Sequence, residues 1–383
     1  MANEDKSTRY HRLRRRTSLF DTAAQAILLL VLVSSGASSA IRASVENSIG
    51  TSLLPLVVTY VIVVAALFEI LHLPFAFYHG VILERRYGLS TETSGRWLKD
   101  HVKAAAIALI VLSGAGVLVA WLLRVTPTFW WVVASMAFVT GLVLLARSAP
   151  VFLLPLFYDV RPLTRESLRE RLVALAAKAG TPVLGAYEWR VGDRTTKANA
   201  ALVGIGRTRR ILVSDTLLTA HSDDEIETVF AHELAHHVYG DIWSALALEA
   251  ALLTLGCYVA DYVLGTFGLA LGLAGKADVA GLPLVVLAVG MVSLLFTPMA
   301  NALSRAHERR ADRYALDTTK NSTAFITAMK RLAATNLAED RPSRLVELLF
   351  HTHPSTAARI EAARLWAQGS GLSTLGQSRK PKA

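Results

Sequence analysis

Six long apolar runs limit the fold of this chain more than any other feature of its sequence. An α-helix rises about 1.5 Å per residue, so about 20 apolar residues cross the hydrocarbon core of a bilayer. Runs of this length lie near 19–40, 54–79, 103–123, 129–149, 243–272 and 281–302. The pattern predicts a mostly α-helical protein that spans a membrane six times.

The composition agrees with a membrane protein and gives little support to a nucleic-acid-binding one. Hydrophobic residues make up 53% of the chain and charged residues 18%, which is more apolar than a typical soluble protein. Much of the net charge of +10 lies in the segment KSTRYHRLRRR beside the first apolar run, where membrane topology explains it better than contact with nucleic acid. The single cysteine, Cys257, lies in an apolar run. An intrachain disulfide is therefore excluded, and a buried, inert thiol is expected.

Basic residues indicate which ends of the helices face the cytosol. The loop between the second and third runs carries Arg85, Arg86, Arg96, Lys99 and Lys103. The opposite loops carry little more than Arg42, Arg124 and Lys276. Because cytoplasmic loops carry the excess of Lys and Arg, the N-terminus, the segment 159–242 and the C-terminus are expected in the cytosol. The first run is interpreted as a retained span, and its Ser-rich end leaves cleavage as a signal peptide as the alternative.

Ionisable residues fall inside the predicted spans. Glu69 and His72 lie in the second span, and Glu249 and Asp261 lie in the fifth. Such groups are costly in contact with lipid, so they are expected to face protein or water. Two interpretations stay open, namely a polar lining of an internal cavity and hydrogen bonds between helices.

The stretch between the fourth and fifth spans has the pattern of a soluble segment. Residues 163–178 have helical periodicity, and Gly180 and Pro182 predict where that helix ends. Three short β-rich runs follow, at 185–191, 199–206 and 209–215. Gly206–Thr208 is predicted to join the last two runs as a hairpin. A helix and a small sheet are therefore expected on the cytosolic side of the membrane.

The motif His-Glu-Leu-Ala-His at 232–236 is the clearest chemical signal in the chain. His232 and His236 are four positions apart, so on a helix they project from one face and can hold a single metal ion. Glu233 lies beside them and can activate a water molecule at that ion. The motif predicts a zinc metallopeptidase.

The motif lies on a predicted helix with a clear beginning. Ser222 followed three positions later by Glu225 is the pattern of a capping box, and the apolar residues after it have helical spacing. The helix is predicted to begin at Ser222 and to end near Gly240, because glycine is common just beyond a helix end.

A hydrolytic zinc site needs a third protein ligand and one open position for water. The compact pattern with a third histidine requires Gly at 239 and His at 242, but Tyr239 and Ile242 stand there. That pattern is therefore excluded. His237 points about 100° away from His236 on a helix and is interpreted as a supporting or surface residue. The remaining candidates for the third ligand lie on other segments.

The segment directly after the sixth run, NALSRAHERRAD, offers one candidate. Asn301, Arg305, Glu308 and Asp312 follow one another at spacings of three and four, so they share one face of a helix. Taken alone, a charged helix of this kind is usually a solvated face. Beside the first motif, Glu308 is a candidate third ligand, and Asp312 is a candidate partner for the free ring nitrogen of a zinc-bound histidine.

Together these segments resemble the CAAX prenyl protease 1 family of membrane zinc metallopeptidases. The similarity runs from about Tyr78 to Leu365. It rests on LERRYGLS with WLKDHVK, LLPLFYDVRPL, KANAALVGIGRTRRILVSDTLL, HELAH, NALSRAHERRAD and THPSTAARI. Each segment is modest by itself, and their common order makes the resemblance specific. The chain departs from the eukaryotic members in one respect, because it has six predicted spans where they have seven.

The resemblance implies the composition of the metal site. It implies one zinc ion per chain in a gluzincin-like site, held by His232, His236 and Glu308. Glu233 then corresponds to the general base of the family. Asp312 corresponds to the acid of the E-x-x-x-D element, which supports a ligand from behind. Relatives enclose a large chamber within the membrane, with zinc at its cytosolic rim.

The resemblance also implies how substrate is held. The substrate backbone is expected to add as a strand to an edge of the small sheet that begins at Asn199 and Ala200, which makes these two residues candidates for substrate binding. His353 and Arg359 match residues near the cleft that stabilise the oxyanion or hold the substrate terminus. From the residues alone, His353 would be a helix N-terminal residue without a function.

The expected organisation follows the order of the chain. It comprises a basic cytosolic N-terminus, a membrane domain of four spans, a cytosolic segment with the sheet and the motif helix, two further spans, C-terminal cytosolic helices and a disordered tail. These parts are expected at 1–18, 19–158, 159–242, 243–302, 303–368 and 369–383. Two helices are predicted in the C-terminal part, at 313–340 and 344–368, with Pro342 between them.

The expected function is zinc-dependent cleavage of peptide bonds at the cytosolic surface of a membrane. The resemblance implies peptide or protein substrates, either lipid-modified proteins that lose their last residues or membrane-embedded proteins under quality control. The Ala- and Arg-rich composition indicates a bacterial plasma membrane. A multi-span transporter or channel and a non-catalytic membrane scaffold are the alternatives, and no nucleic-acid partner is expected.

Overall fold

The computed structural model describes residues 5–204 and 206–370 and shows a mostly helical protein. Six of its helical segments are long and apolar enough to cross a membrane, as the sequence predicts. They are Lys6–Ser34, Leu53–Arg86, Ser94–Val125, Trp130–Ser148, Asp241–Phe267 and Val279–Thr319. Of the tail predicted at 369–383, all but the first two residues lie outside the described ranges.

The named elements of the chain up to residue 157 are all helical. They are α1 (Lys6–Ser34), α2 (Ala37–Ile49), α3 (Leu53–Phe77), α4 (Glu84–Arg86), α5 (Ser94–Val125), α6 (Trp130–Phe152) and α7 (Leu154–Phe157), with a π-helical turn at Tyr78–Leu83. The first span is confirmed, but its helix ends at Ser34, before the end predicted near residue 40. Gly36 adopts a left-handed φ of 77°, which glycine tolerates without a steric cost, and the chain turns there between α1 and α2.

The rest of the chain contains the sheet, two long helices and a C-terminal helical part. Its elements are β1 (Asp159–Pro162), α8 (Glu166–Lys178), β2 (Ala186–Arg190), β3 (Ala200–Val203), β4 (Arg210–Ser214), α9 (Asp215–Ala220), α10 (Asp223–Val238), α11 (Asp241–Phe267), α12 (Leu282–Thr319), α13 (Ser322–Thr335), α14 (Arg344–Phe350) and α15 (Thr356–Gly369). Short 3₁₀ turns lie at Gly206–Thr208 and Val279–Gly281.

The long helices form a ring with an apolar outer surface. Each contacts the next in the order α1, α3, α5, α6, α11 and α12, and α12 returns to α1. Many large apolar side chains on these helices are exposed, as at Ile110 (73%) and Leu295 (74%). At the end of the ring far from the N-terminus, side chains from five of these helices pack into one apolar cluster, which includes Val33, Leu122, Trp130, Leu264 and Leu284. An apolar exterior of this extent is expected in lipid rather than in water.

The four strands form one mixed sheet with the order β1-β2-β4-β3. The pairs β1–β2 and β4–β3 are antiparallel, and β2–β4 is parallel. The hairpin predicted around Gly206–Thr208 is confirmed, while β1 has no counterpart among the predicted runs. Helices α8, α10 and α13 contribute buried side chains to one core with the sheet, which places β3 at an edge beside α10.

The two helices predicted for the C-terminal part are each broken. Helix α12 runs on to Thr319, where Lys320 adopts a left-handed φ of 52° and Asn321 caps α13. The second predicted helix is interrupted between α14 and α15 by His351–Ser355, which includes Pro354. Proline cannot donate a helical hydrogen bond, and Ser355 caps α15. The interruption delivers His353 to the site described below.

Ionisable residues in the spans are joined between helices. His72 on α3 lies 3.0 Å from an oxygen of Asp21 on α1, and Glu69 on α3 lies 2.5 Å from Nε2 of His101 on α5. Asp261 on α11 pairs with Lys276 and accepts a hydrogen bond from the indole of Trp130 on α6. Glu249 has an exposed side chain. Hydrogen bonding within the protein is thus observed for Glu69, His72 and Asp261.

Candidate active site

Helix α10 presents the first half of the site. Ser222 caps its N-terminus and forms the predicted capping box with Glu225, so backbone N–H groups without a partner inside the helix are satisfied. Phe230 and Leu234 are fully buried in the core shared with the sheet. Gly240, with a left-handed φ of 66°, turns the chain into α11. The motif residues therefore occupy fixed positions on an anchored helix.

Helix α12 presents the second half. The face predicted from its spacing is at most 8% exposed, and its members are Asn301, Arg305, Glu308 and Asp312. This burial agrees with the expected site and not with the solvated face that a charged helix of this kind usually has. Arg305 donates hydrogen bonds to the carbonyls of Glu347 and His351. These bonds hold the segment between α14 and α15 against α12.

Three potential ligands converge where α10 meets α12. The ligand atoms of His232, His236 and Glu308 all lie within 4.8 Å of one another. Nε2 of His232 is 3.2 Å from Oε2 of Glu308, and Nε2 of His236 is 3.4 Å from Oε1 of the same carboxylate. Oε2 of Glu308 is buried and has no hydrogen-bond partner among the described residues. Two imidazole nitrogens and a carboxylate with an unpartnered buried oxygen fit a catalytic zinc ion with an open coordination position.

The other nitrogen of each imidazole is held by a carboxylate. Nδ1 of His232 is 2.9 Å from Oδ1 of Asp312, and Nδ1 of His236 is 2.8 Å from Oδ2 of Asp241. A neutral imidazole that donates from Nδ1 keeps the lone pair of Nε2 free. Both lone pairs then point toward Glu308, which is the arrangement that metal-binding histidines commonly have.

An arginine holds each of these two aspartates in turn. Arg359 on α15 forms a bidentate contact with Asp312, at 2.8 Å from Nε and 2.5 Å from the terminal nitrogen. Arg310 on α12 pairs with Asp241 at the start of α11. A two-point contact between guanidinium and carboxylate fixes orientation as well as charge. Four helices thus contribute to the rigidity of the site.

The electrostatics of the site favour positive charge. Burial by itself acts to lower the pKa of His232, but the nearby carboxylates of Asp312 and Glu308 outweigh it and raise that pKa to about 9. Surroundings that stabilise a protonated imidazole also stabilise a divalent cation. Burial raises the pKa of the Glu233 carboxyl, which makes its carboxylate a stronger proton acceptor than an ordinary glutamate.

His353 and Arg359 both reach the site, in different ways. Nε2 of His353 is 3.4 Å from Oε1 of Glu308, and the His353 side chain is 60% exposed. His353 therefore lies on the open side of the ligand cluster. Arg359 is mostly buried and engaged with Asp312, and its guanidinium is 3.4 Å from Nδ1 of His232. It stands behind the ligands and not in front of them.

Asn199 and Ala200 lie at the edge of the sheet, not among the ligands. The backbone of Asn199 is joined to Ser214 on β4, and its side chain is exposed. Ala200 begins β3. A hydrogen bond of 2.7 Å from Nε2 of His237 to the Leu202 carbonyl links β3 to α10. The edge is thereby fixed relative to the motif helix.

Sequence reasoning missed Asp241 and the contact made by His237. Asp241 follows His236 by five positions, beyond a glycine, so helical spacing does not connect the two residues. An acidic residue just after a helix that carries a metal motif is the one signal that points to it. His237 has no local signal, because its partner Leu202 is 35 positions away.

Two family models together cover almost the whole chain. The model described as peptidase family M48 matches residues 162–367. The model described as the CAAX prenyl protease N-terminal region, with five membrane helices, matches residues 2–159. Four of the six candidate spans of this chain fall in that second region, together with the shorter α2.

Similar proteins and a solved structure agree with these matches. An uncharacterized metalloprotease of Bacillus subtilis, YhfN, is 31% identical over 88% of this chain and 79% of its own length. CAAX prenyl protease 1 of Saccharomyces cerevisiae is 26% identical over 78% of this chain and 70% of its own. The crystal structure of S. mikatae Ste24p shares the fold, with a TM-score of 0.80 and 22% identity over 94% of this chain and 87% of that one. The chain therefore belongs to peptidase family M48 and is an integral membrane metallopeptidase.

Proposed function

We propose that this protein is a zinc-dependent endopeptidase that cleaves peptide bonds at the cytosolic surface of a bacterial plasma membrane. One observation carries the zinc assignment. Nε2 of His232 and Nε2 of His236 converge on Glu308, while the opposite ring nitrogens are occupied by Asp312 and Asp241. Two imidazoles, one carboxylate and one open position are the usual donor set of a hydrolytic zinc site.

The reaction follows from the positions of the side chains. Bound zinc supplies a Lewis acid that polarises the peptide carbonyl and lowers the pKa of water. Glu233 accepts the proton of the attacking water and passes it to the leaving amine. Its raised pKa suits both transfers. We assign to His353, on the open side of the ligand cluster, the role of stabilising the charge that develops on the carbonyl oxygen.

Arg359 acts from behind the ligands. Its guanidinium is committed to Asp312, and Asp312 is hydrogen-bonded to His232. We assign it a positioning role, in which it fixes the carboxylate that fixes the imidazole. Among the roles that the resemblance implies for Arg359, this geometry favours support of the metal site over direct contact with substrate.

The substrate backbone is held on the free edge of the sheet. Strand β3 is an edge strand beside α10, which carries Glu233. An extended peptide can add to such an edge through main-chain hydrogen bonds, which recognise a peptide independently of most of its side chains. Binding of this kind suits an enzyme that acts on several proteins.

The membrane helices determine which proteins reach the site. Glu308 lies on the extension of the last span, so the ligands are at the end of the helical ring. Basic residues concentrate at that same end, which by the positive-inside rule is cytosolic. Substrates are therefore proteins that are themselves attached to the membrane. They are held there either by a lipid group near the cleaved bond or by a transmembrane segment. The name CAAX prenyl protease implies the first mode for relatives.

The test is cleavage by the purified protein with and without its metal. Two substrates are used, a farnesylated CAAX peptide and an unfolded membrane protein. We expect zinc-loaded protein to cleave at least one of them, 1,10-phenanthroline to stop the reaction, and added zinc to restore it. Failure of the zinc-loaded protein to cut either substrate contradicts the proposal. Transport of a solute across the membrane that continues in the presence of the chelator would instead support a transporter.

A further inference from the structure

The free edge of β3 is shorter than the strand itself. Ser214 on β4 donates its N–H to the carbonyl of Asn199, so Asn199 faces β4. Ile211 donates its N–H to Gly185 beside β2, so Ile211 faces away from β3. Its register partner Leu202 therefore faces away from β4. Because successive residues of a strand alternate, the peptide groups that face the open edge are those of Ala198, Ala200 and Leu202.

A side-chain amide closes one end of this edge. Oδ1 of Asn336 accepts the N–H of Ala198 at 3.0 Å, and Nδ2 of Asn336 donates to the carbonyl of Ala198 at 3.1 Å. One amide thus satisfies both outward groups of Ala198, as a residue of a paired strand does. Asn336 is the C-cap of α13, so this closure is attached to the C-terminal helices.

An imidazole closes the other end. Nε2 of His237 donates to the outward carbonyl of Leu202 at 2.7 Å. His237 lies on α10, one position after the proposed ligand His236. Among the described residues, no hydrogen-bond partner is present for the outward N–H and C=O of Ala200 or for the outward N–H of Leu202. Three main-chain groups stay open between the two closures.

We propose that Asn336 and His237 set the length of the substrate strand and so determine backbone specificity. This inference rests on the proposed binding of substrate at the edge of β3. The added strand forms both hydrogen bonds of one residue pair with Ala200 and a third bond with the N–H of Leu202. It cannot extend its pairing in either direction, because the next outward groups are already occupied. The enzyme therefore reads a short extended segment, which suits bonds that are cleaved near chain ends or in brief unfolded stretches.

The test locates the substrate N–H groups that matter. A set of peptides, each N-methylated at one amide, is measured as inhibitors of the cleavage of an internally quenched peptide by the zinc-loaded protein. The carbonyl of Ala200 is the one open acceptor between the two closures, so only one substrate N–H can donate a hydrogen bond to this edge. In the unaltered protein we expect one N-methylation away from the scissile bond to raise the inhibition constant by about fivefold, the effect of one lost hydrogen bond.

Removal of either closing side chain should make a second amide of the peptide inhibitor sensitive to N-methylation. His237→Phe frees the Leu202 carbonyl, and Asn336→Ala frees the Ala198 carbonyl. Because a strand repeats every second residue, we expect the new sensitive positions two residues from the first, in opposite directions for the two variants. His237→Gln, which can still donate to Leu202, should keep the original pattern. Asn321→Ala, which removes the cap at the other end of α13, serves as the matched control for Asn336→Ala.

The outcomes separate this inference from the function on which it rests. Cleavage without any sensitive amide away from the scissile bond would mean that substrate does not pair with β3, and both proposals about the edge would fail. If the unaltered protein instead responded to N-methylation at several alternate amides of the peptide, substrate would bind at the edge, but Asn336 and His237 would not limit the length of the strand. A pattern unchanged in His237→Phe and Asn336→Ala would overturn them as well. A purely structural role of either residue would weaken all peptides equally and add no new position.

Discussion

Two of the clusters of histidines and carboxylates among the described residues are built differently. One is the ligand cluster of α10 and α12. The other lies between the membrane helices α1, α3 and α5, where His72 contacts Asp21 and His101 contacts Glu69. The rings of His72 and His101 stack with centroids 6.3 Å apart. Both clusters bring two imidazoles and at least two acids together.

The difference lies in how many partners each acid serves. In the membrane cluster each imidazole is matched with its own carboxylate, so the charges are satisfied in pairs. In the ligand cluster both imidazoles reach the one carboxylate of Glu308, and two further acids hold their outer nitrogens. Within residues 5–204 and 206–370, only this cluster brings three ligand atoms within 4.8 Å of one another. Convergence on a shared acid, and not the number of ionisable groups, distinguishes a metal site from a structural ion pair.

Among these predictions, removal of the shared acid Glu308 should have the largest effect on zinc binding and cleavage. Glu308→Ala deletes the carboxylate that both imidazoles face, so we expect loss of bound zinc and of cleavage. Zinc content is measured on purified protein by mass spectrometry. Glu69→Ala removes an acid from the membrane cluster and should leave the zinc content unchanged. Full zinc occupancy in Glu308→Ala would show that another residue is the third ligand.

Alteration of Glu233 should separate chemistry from metal binding. Glu233→Gln keeps the size of the side chain but cannot accept a proton, so we expect cleavage to fall by a factor of about 10² to 10⁴ while zinc stays bound. The rate of peptide cleavage and the zinc content are measured on the same preparation. Turnover at an unaltered rate would remove Glu233 from the role of general base.

The acids behind the imidazoles should have a smaller, graded effect. Asp241→Asn weakens the orientation of His236, and the loss of such a support commonly reduces metal affinity by about 10- to 100-fold. Asp21→Asn changes an acid at a comparable distance from His72, 3.0 Å against 2.8 Å, and should not change zinc affinity. Competition with a fluorescent zinc chelator measures both variants. Equal affinities would mean that Asp241 contributes only to packing.

Local patterns predicted the parts of the site that lie within one helix. The capping box at Ser222 follows from the short Ser-x-x-Glu pattern, while the spacing of His232 and His236 and the shared face of Glu308 and Asp312 follow from helical periodicity, and all of them are present. Each depends on residues within a few positions of one another. The six spans were predictable for the same reason, because a bilayer requires continuous apolar runs.

Features that depend on turns or on distant partners were not predictable. The break at Gly36 and the break at Lys320 each depend on one residue with left-handed φ, which the spacing of apolar residues does not indicate. Asp241 supports His236 only because Gly240 reverses the chain between them. Strand β1 is four residues long and includes three charged or proline positions, so it has no alternating pattern that could reveal it.

The smallest effect concerns the membrane pairs themselves. Glu69→Gln removes the charge opposite His101 but keeps the shape, and an interhelical hydrogen bond in a membrane contributes roughly 0.6 to 1.7 kcal/mol. We expect a modest decrease in the free energy of unfolding in mild detergent, with zinc affinity and the cleavage rate unchanged. His101→Ala and the double variant complete the cycle, and the pair acts structurally if the two losses are not additive. A lower cleavage rate at full zinc occupancy and saturating substrate would instead mean that this cluster takes part in the reaction. In that case the matching of each imidazole with its own carboxylate would no longer distinguish structural ion pairs from functional ones.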